Sequence, residues 1–223
     1  MSHPKATLAL FLALIAASQA AAAADGEGAA AVRRSLLSTS PSVGPIYSNG
    51  NLEWRSWSWG LSSLNVRDAG KPMPGARAAL CLAIQPFGAL SLRSSVPFSL
   101  EGALGFYIRG NGNSSAAQLG SLEMQFESSS PSRYAITRSS TLAEALAAQA
   151  VAEGAPASTA DALLAGIAAG QWTPVKVPLA AFEAQAGFKA DRWTLGSCLQ
   201  RLDGCSSAAP AAEVCLDQIV TVS

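Results

Sequence analysis

Histidine is almost missing from this chain. The one residue of that type among 223 is His3, within the N-terminal apolar stretch described below. A remainder without histidine holds no Ser-His-Asp or Cys-His arrangement and no imidazole-based metal site. What survives is carboxylate chemistry or binding without catalysis. Charge is scarce and balanced, 13% of residues with 15 Lys+Arg against 15 Asp+Glu. That argues against a nucleic-acid partner, because phosphate recognition needs a cationic excess on one face. Close Cys-x-x-Cys pairs are lacking, which removes the usual four-cysteine zinc site. After the first 24 residues no apolar run approaches the ~20 residues of a membrane-spanning helix.

What is present begins with a leader. Lys5 followed by an uncharged run at 6–17 and small residues at Ser18, Ala20 and Ala22 reads as a signal peptide over 1–24. The expected location is therefore secreted, extracellular or in the cell wall. Cys81, Cys198, Cys205 and Cys215 form an even set, open to three pairings in an oxidising compartment. Spacing favours Cys198 with Cys205 across a short turn, and Cys81 with Cys215 between distant strands. Asn113-Ser114-Ser115 is a glycosylation sequon in a loop-like stretch.

Residues 25–43 are rich in Gly, Ala and Ser and read as a linker or pro-segment, leaving 44–223 as one domain. There, short alternating runs are punctuated by Gly, Pro, Ser and Asn, the rhythm of an all-β sandwich. Leu104, Phe106 and Ile108 share one strand face, as do Leu122, Met124 and Phe126, Leu90 and Leu92, and Leu80, Leu82 and Ile84. Further strands are expected at 54–61, 134–137, 173–179, 192–199 and 214–222, a jelly-roll number. Residues 139–170 break the rhythm. Thr141 and Glu144 have capping-box spacing before an Ala/Leu run. A second helix is expected at 161–169, capped by Ser158 or Thr159. This is a short Ala-rich helical insertion, with thin apolar faces that suggest loose packing.

Tyr47-Ser48-Asn49 leading into Trp54, Trp57-Ser58-Trp59 resembles the opening of secreted carbohydrate-binding-module-like domains with a galactose-binding-like jelly-roll fold. Trp172-Thr173-Pro174-Val175-Lys176-Val177-Pro178-Leu179 is similar to a W-x-x-V-x-V-P-L strand of that fold, and Leu216-Asp217-Gln218-Ile219 to its closing L-D-D-I strand. The resemblance implies sugar binding. It also implies a structural calcium ion between the first and last strands, for which Asn49 and Asp217 are the candidate ligands. Gln218 in place of the second acidic residue leaves few charges for a calcium ion, which needs six to eight oxygens.

Sugar recognition combines flat aromatic surfaces with planar hydrogen-bonding groups. Trp57 and Trp59 share a face by spacing, open to two readings: a stacking platform, or core, since Ser56 and Ser58 alternate with them. Arg93, Tyr107, Arg109, Glu123 and Gln125 point away from the core rows. They form a binding strip if their three strands are neighbours, and a plain solvated face if they are not. For catalysis, Glu123 and Glu127 stand i, i+4 on one strand, roughly 13 Å apart and too far for a glycosidase pair. The expectation is a non-catalytic protein of cell wall or extracellular matrix that binds a polysaccharide or glycoprotein glycan. Its alternative is a structural or adhesive protein-interaction domain with 139–170 as partner surface. A carboxylate-dependent glycoside hydrolase is the remaining class.

Overall fold

The computed structural model describes residues 41–130, 133–156, 158–199 and 211–222. The stretch read as a leader, most of the stretch read as a linker and Cys205 lie outside the described residues. The strands are β1 (Pro41–Ser48), β2 (Asn51–Leu52), β3 (Arg55–Ser56), β4 (Trp59–Asp68), β5 (Ala79–Ser99), β6 (Ala103–Gly110), β7 (Glu123–Ser130), β8 (Arg133–Ile136), β9 (Ser140–Thr141), β10 (Thr173–Pro178), β11 (Lys189–Gly196) and β12 (Ala212–Val222). β1 starts at Pro41, inside the stretch read as linker. The fold is an all-β jelly-roll sandwich, and every pairing among the described strands is antiparallel.

β5 is what makes two layers out of one hydrogen-bonded sheet. Its first part, through Ile84, pairs with β12, and its second part, from Ala89, pairs with β11. One layer runs β10-β6-β12-β5 with β4 beside β5; the other runs β5-β11-β7-β8 with β3 beside β5. The fold-over falls at 85–88, where Phe87 has φ 63° and Gly88 lies against Gly60. A Cβ on Gly88 would stand 2.1 Å from the Gly60 carbonyl oxygen, so only glycine allows this crossing of backbones. The sequence reads 54–61 as one strand. The structure breaks it: Arg55–Ser56 stays with one layer and Trp59–Asp68 passes to the other, alongside the bend in β5.

Alternation sorts the core as the sequence implies. Leu104, Phe106, Ile108, Leu122, Met124, Phe126, Leu90, Leu92, Leu80 and Ile84 are fully buried. Phe106 of β6 meets Trp193 of β11 across the sandwich with ring centroids 5.9 Å apart. Trp54, Phe98, Phe126 and Phe182 continue a chain of tilted and edge-on ring contacts.

Three helices, α1 (Ala116–Gly120), α2 (Leu142–Ala152) and α3 (Ser158–Ala168), cluster against β6 and β10. α1, with its Ser115/Gln118 capping box, was not expected from the sequence. The Thr141/Glu144 box of α2 forms as read, and α3 begins at Ser158 rather than 161. Loose packing is corrected: Leu142, Leu146, Leu164 and Ile167 join the main core. The close approach depends on Gly110, where a Cβ would lie 2.8 Å from the Ile167 carbonyl oxygen. Gln149 Oε1 accepts from the Lys176 backbone N–H at 2.9 Å, so α2 satisfies part of the free edge of β10. None of the described helices is long and apolar enough to cross a membrane.

Candidate functional site

The outer face of the β5-β11-β7-β8 layer carries one transverse ladder of unusual composition. Arg55 of β3 is opposite Arg93 of β5, Arg93 opposite Arg192 of β11, Arg192 opposite Glu127 of β7, and Glu127 opposite Ile136 of β8. The order is forced by alternation, because Trp193 and Leu92 occupy the inner face and their neighbours must point out. Three cross-strand arginines in a row repel one another, a cost the fold must offset.

Two carboxylates and one indole supply that offset. Glu127, only 2% exposed, accepts from Arg192 Nη1 at 3.0 Å, Thr194 Oγ1 at 3.0 Å, Tyr134 Oη at 2.9 Å and Gln125 Nε2 at 3.2 Å. Asp191 is held by Arg93 at 3.2 Å, by the Ser129 backbone N–H at 2.9 Å and by the Ser129 hydroxyl. The guanidinium carbons of Arg93 and Arg192 each lie 5.6 Å from the Trp57 ring centroid, within cation–π range. Burial, and then the hydrogen bond to Glu127, push the Tyr134 phenol up to about 12.

Trp57 remains 54% exposed, and it lines an open cleft of about 550 Å³ together with Arg55, Arg93, Ser94, Ser129, Lys189 and Asp191. The indole gives a flat apolar surface. Guanidiniums and serine hydroxyls around it give directed hydrogen-bonding groups held by their own packing. Such a set binds a polyhydroxylated ring by stacking and by paired hydrogen bonds.

The expected site residues divide. Trp57 and Arg93 meet in the cleft. Trp59 is 42% exposed but sits at the β4–β5 crossing, its Nε1 donating to the Phe87 carbonyl at 2.9 Å. The reading that at least one of these two indoles is core is corrected, since both are exposed and Trp54 takes the interior place against Phe98. The break after Ser56 is the physical reason, because it ends the strict alternation on which that reading rested.

The five-residue strip is also corrected. β6 belongs to the opposite layer, so Tyr107 and Arg109 cannot join Arg93, Glu123 and Gln125. Tyr107 is 2% exposed, next to fully buried Asp217 in the ladder. Arg109 lies 5.8 Å from the Trp172 ring centroid, whose Nε1 donates to the Pro72 carbonyl. Glu123 accepts from the Leu199 backbone N–H, and Gln125 is buried against Glu127. Arg55, Lys189, Asp191, Arg192 and Tyr134 were not singled out from the sequence, and Glu127 was weighed there only as half of a carboxylate pair. Arg192 was within reach, being next to Trp193 on a clearly alternating strand. The others needed to be placed beside it.

Asn49 and Asp217 do come together, as the resemblance implies. Asp217 Oδ1 accepts from the backbone N–H of Asn49 at 3.1 Å and of Gln218 at 2.8 Å, and Asn49 Oδ1 accepts from the Arg77 backbone N–H. A calcium ion at this place would share these two oxygens with backbone donors. Burial and the nearby Asp217 charge also raise the pKa of the Tyr47 phenol. Among the described residues no cluster of three or more acidic, histidine or cysteine side chains could hold a metal ion.

Cys81 and Cys215 are bonded, directly opposite each other in the β5–β12 ladder. Cys198 is also in a disulfide; its expected partner, Cys205, lies outside the described residues. Asn113 is exposed before α1, its amide donating to Glu213 at 3.1 Å.

Fold and face together define a β-sandwich protein with a shallow aromatic and cationic cleft. No family model matches the chain, and no curated protein matches it. Solved structures similar to it include two variants of a family 29 carbohydrate-binding module. The one complexed with mannohexaose is 13% identical, with 79% of this chain and 88% of that chain covered and a TM-score of 0.43. The one complexed with cellulohexaose is 13% identical, covering 80% and 88%, with a TM-score of 0.43. Reduced XRCC1 bound to the DNA polymerase β catalytic domain is 11% identical, covering 75% and 98%, with a TM-score of 0.31.

Proposed function

We propose that this protein is an exported, non-catalytic carbohydrate-binding protein of cell wall or extracellular matrix, with Trp57 as its stacking surface. The observation that carries the reading is the exposed indole of Trp57, fixed against two guanidiniums in a hydroxyl-lined cleft. Of the cleft's acidic neighbours, Asp191 and Glu127 are each buried and locked to an arginine, an arrangement suited to positioning rather than to proton transfer. Export is supported by the N-terminal leader and by the disulfides. Use of 139–170 as a partner surface has less support, since Leu142, Leu146, Leu164 and Ile167 face the core.

The test is titration of purified protein with a glycan panel that includes mannohexaose and cellulohexaose, followed by tryptophan fluorescence and calorimetry. Binding that falls tenfold or more in Trp57→Ala, with the Trp59→Ala variant unaffected, is expected. Absence of any bound glycan at millimolar concentration refutes the reading, and so does full affinity in Trp57→Ala.

A further inference from the structure

The ladder Arg55–Arg93–Arg192 is not explained by stability. Its members sit directly opposite one another on adjacent strands, where like charges oppose pairing. A fourth cation, Lys189, lines the same cleft, its ammonium donating to the Ser99 hydroxyl at 2.5 Å. Four cations thus face two carboxylates, in a chain whose 15 basic and 15 acidic residues balance overall. Both carboxylates are consumed: Asp191 holds Arg93, and Glu127 holds Arg192. Arg55 is exposed and has no ion pair among the described residues. The surplus lies on the side of the cleft where Arg55 and Trp57 stand together.

From this ladder we infer that the ligand is an anionic glycan, a polysaccharide whose sugars carry carboxylate or sulfate groups; the inference rests on the carbohydrate-binding reading above. A guanidinium presents parallel N–H donors that match the two oxygens of a carboxylate or sulfate, which is the geometry a fixed row of arginines offers. The indole beside them takes the apolar face of the same sugar. An acidic peptide would use the charges but not the stacking surface. Arg55 makes the first contact with the acid group, being the cation that gives up nothing inside the fold to do so.

The experiment compares matched ligands that differ only in charge. Oligogalacturonate is set against its methyl ester, and a sulfated galactan against the same polymer after desulfation. Each is titrated at low and at physiological salt with native protein, Arg55→Gln and Lys189→Gln. The charged form of at least one pair should bind about tenfold or more tightly than its neutral match, and its affinity should fall as salt rises. Arg55→Gln should weaken the charged ligand severalfold more than it weakens the neutral match, with Lys189→Gln a weaker copy. Which pair shows the preference assigns carboxylate or sulfate.

Equal affinity for charged and neutral forms overturns the inference and leaves carbohydrate binding standing. Equal losses on both forms in Arg55→Gln overturn it too. Polyglutamate binding as tightly as oligogalacturonate shows charge without sugar recognition and overturns the glycan class. Failure of all forms to bind refutes the underlying reading instead.

Discussion

The Cys81–Cys215 bond closes a loop with a sequence separation of 134, and its removal offers a quantitative test of the fold. A cross-link of that span restricts the unfolded chain by an entropy that grows with the logarithm of loop length, about 5 kcal/mol at 25 °C. Little of this should be returned in the folded state, because β5 and β12 remain paired through Leu80, Leu82 and Ile84 on either side of the bond. The perturbation is the double change Cys81→Ala with Cys215→Ala, which spares the bond of Cys198. For a domain of this size the loss corresponds to a fall in Tm of roughly 10–20 °C. In urea the midpoint should drop by about 2 M, and the slope should rise because the uncrosslinked denatured chain exposes more surface. Circular dichroism and tryptophan fluorescence followed through the same titration give both quantities. A destabilisation below about 1 kcal/mol would refute the reasoning, since it would mean that the bond does not link two strands held far apart in the unfolded chain.

Two further outcomes follow from the outer ladder. Glu127→Gln removes the charge from a pair whose side chains are 3% and 16% exposed, and should cost about 3–5 kcal/mol in a denaturation experiment. Adding Arg192→Met to that variant should recover part of the loss, and a double change no better than the single one counts against the pairing. Tyr134 should titrate near 12 in an absorbance experiment at alkaline pH, with that step absent from Tyr134→Phe. The phenol binds its proton more tightly in the folded protein. Its contribution is therefore full below the ordinary tyrosine value of about 10 and is lost as pH rises through about 12. A step near 10 would show that Tyr134 does not donate to Glu127.

Alternation along single strands was enough to identify the inner rows, and Thr-x-x-Glu spacing to identify the capping box at Thr141, because each depends on a pattern a few residues wide; the Cys81–Cys215 bond was one of three pairings the sequence allowed, and the β5–β12 ladder selects it. Alternation also separated outward residues from inward ones on β5, β7 and β11. It could not say which outward residues share a face. Arg93 and Arg109 look equivalent along the chain, yet β5 and β6 lie in different layers, so one reaches the cleft and the other meets Trp172. Nor does outward mean exposed: Tyr107 points out of its sheet and is still enclosed. Trp57 depended on the break after Ser56 and the glycine crossing at Gly60 and Gly88, where backbone contact between distant residues overrides local period. The sequence by itself determined what each strand can bury. Only the tertiary structure decided which strands stand side by side, because neighbourhood in a sheet is set by long-range pairing and by where β5 folds over, and neither leaves a local pattern.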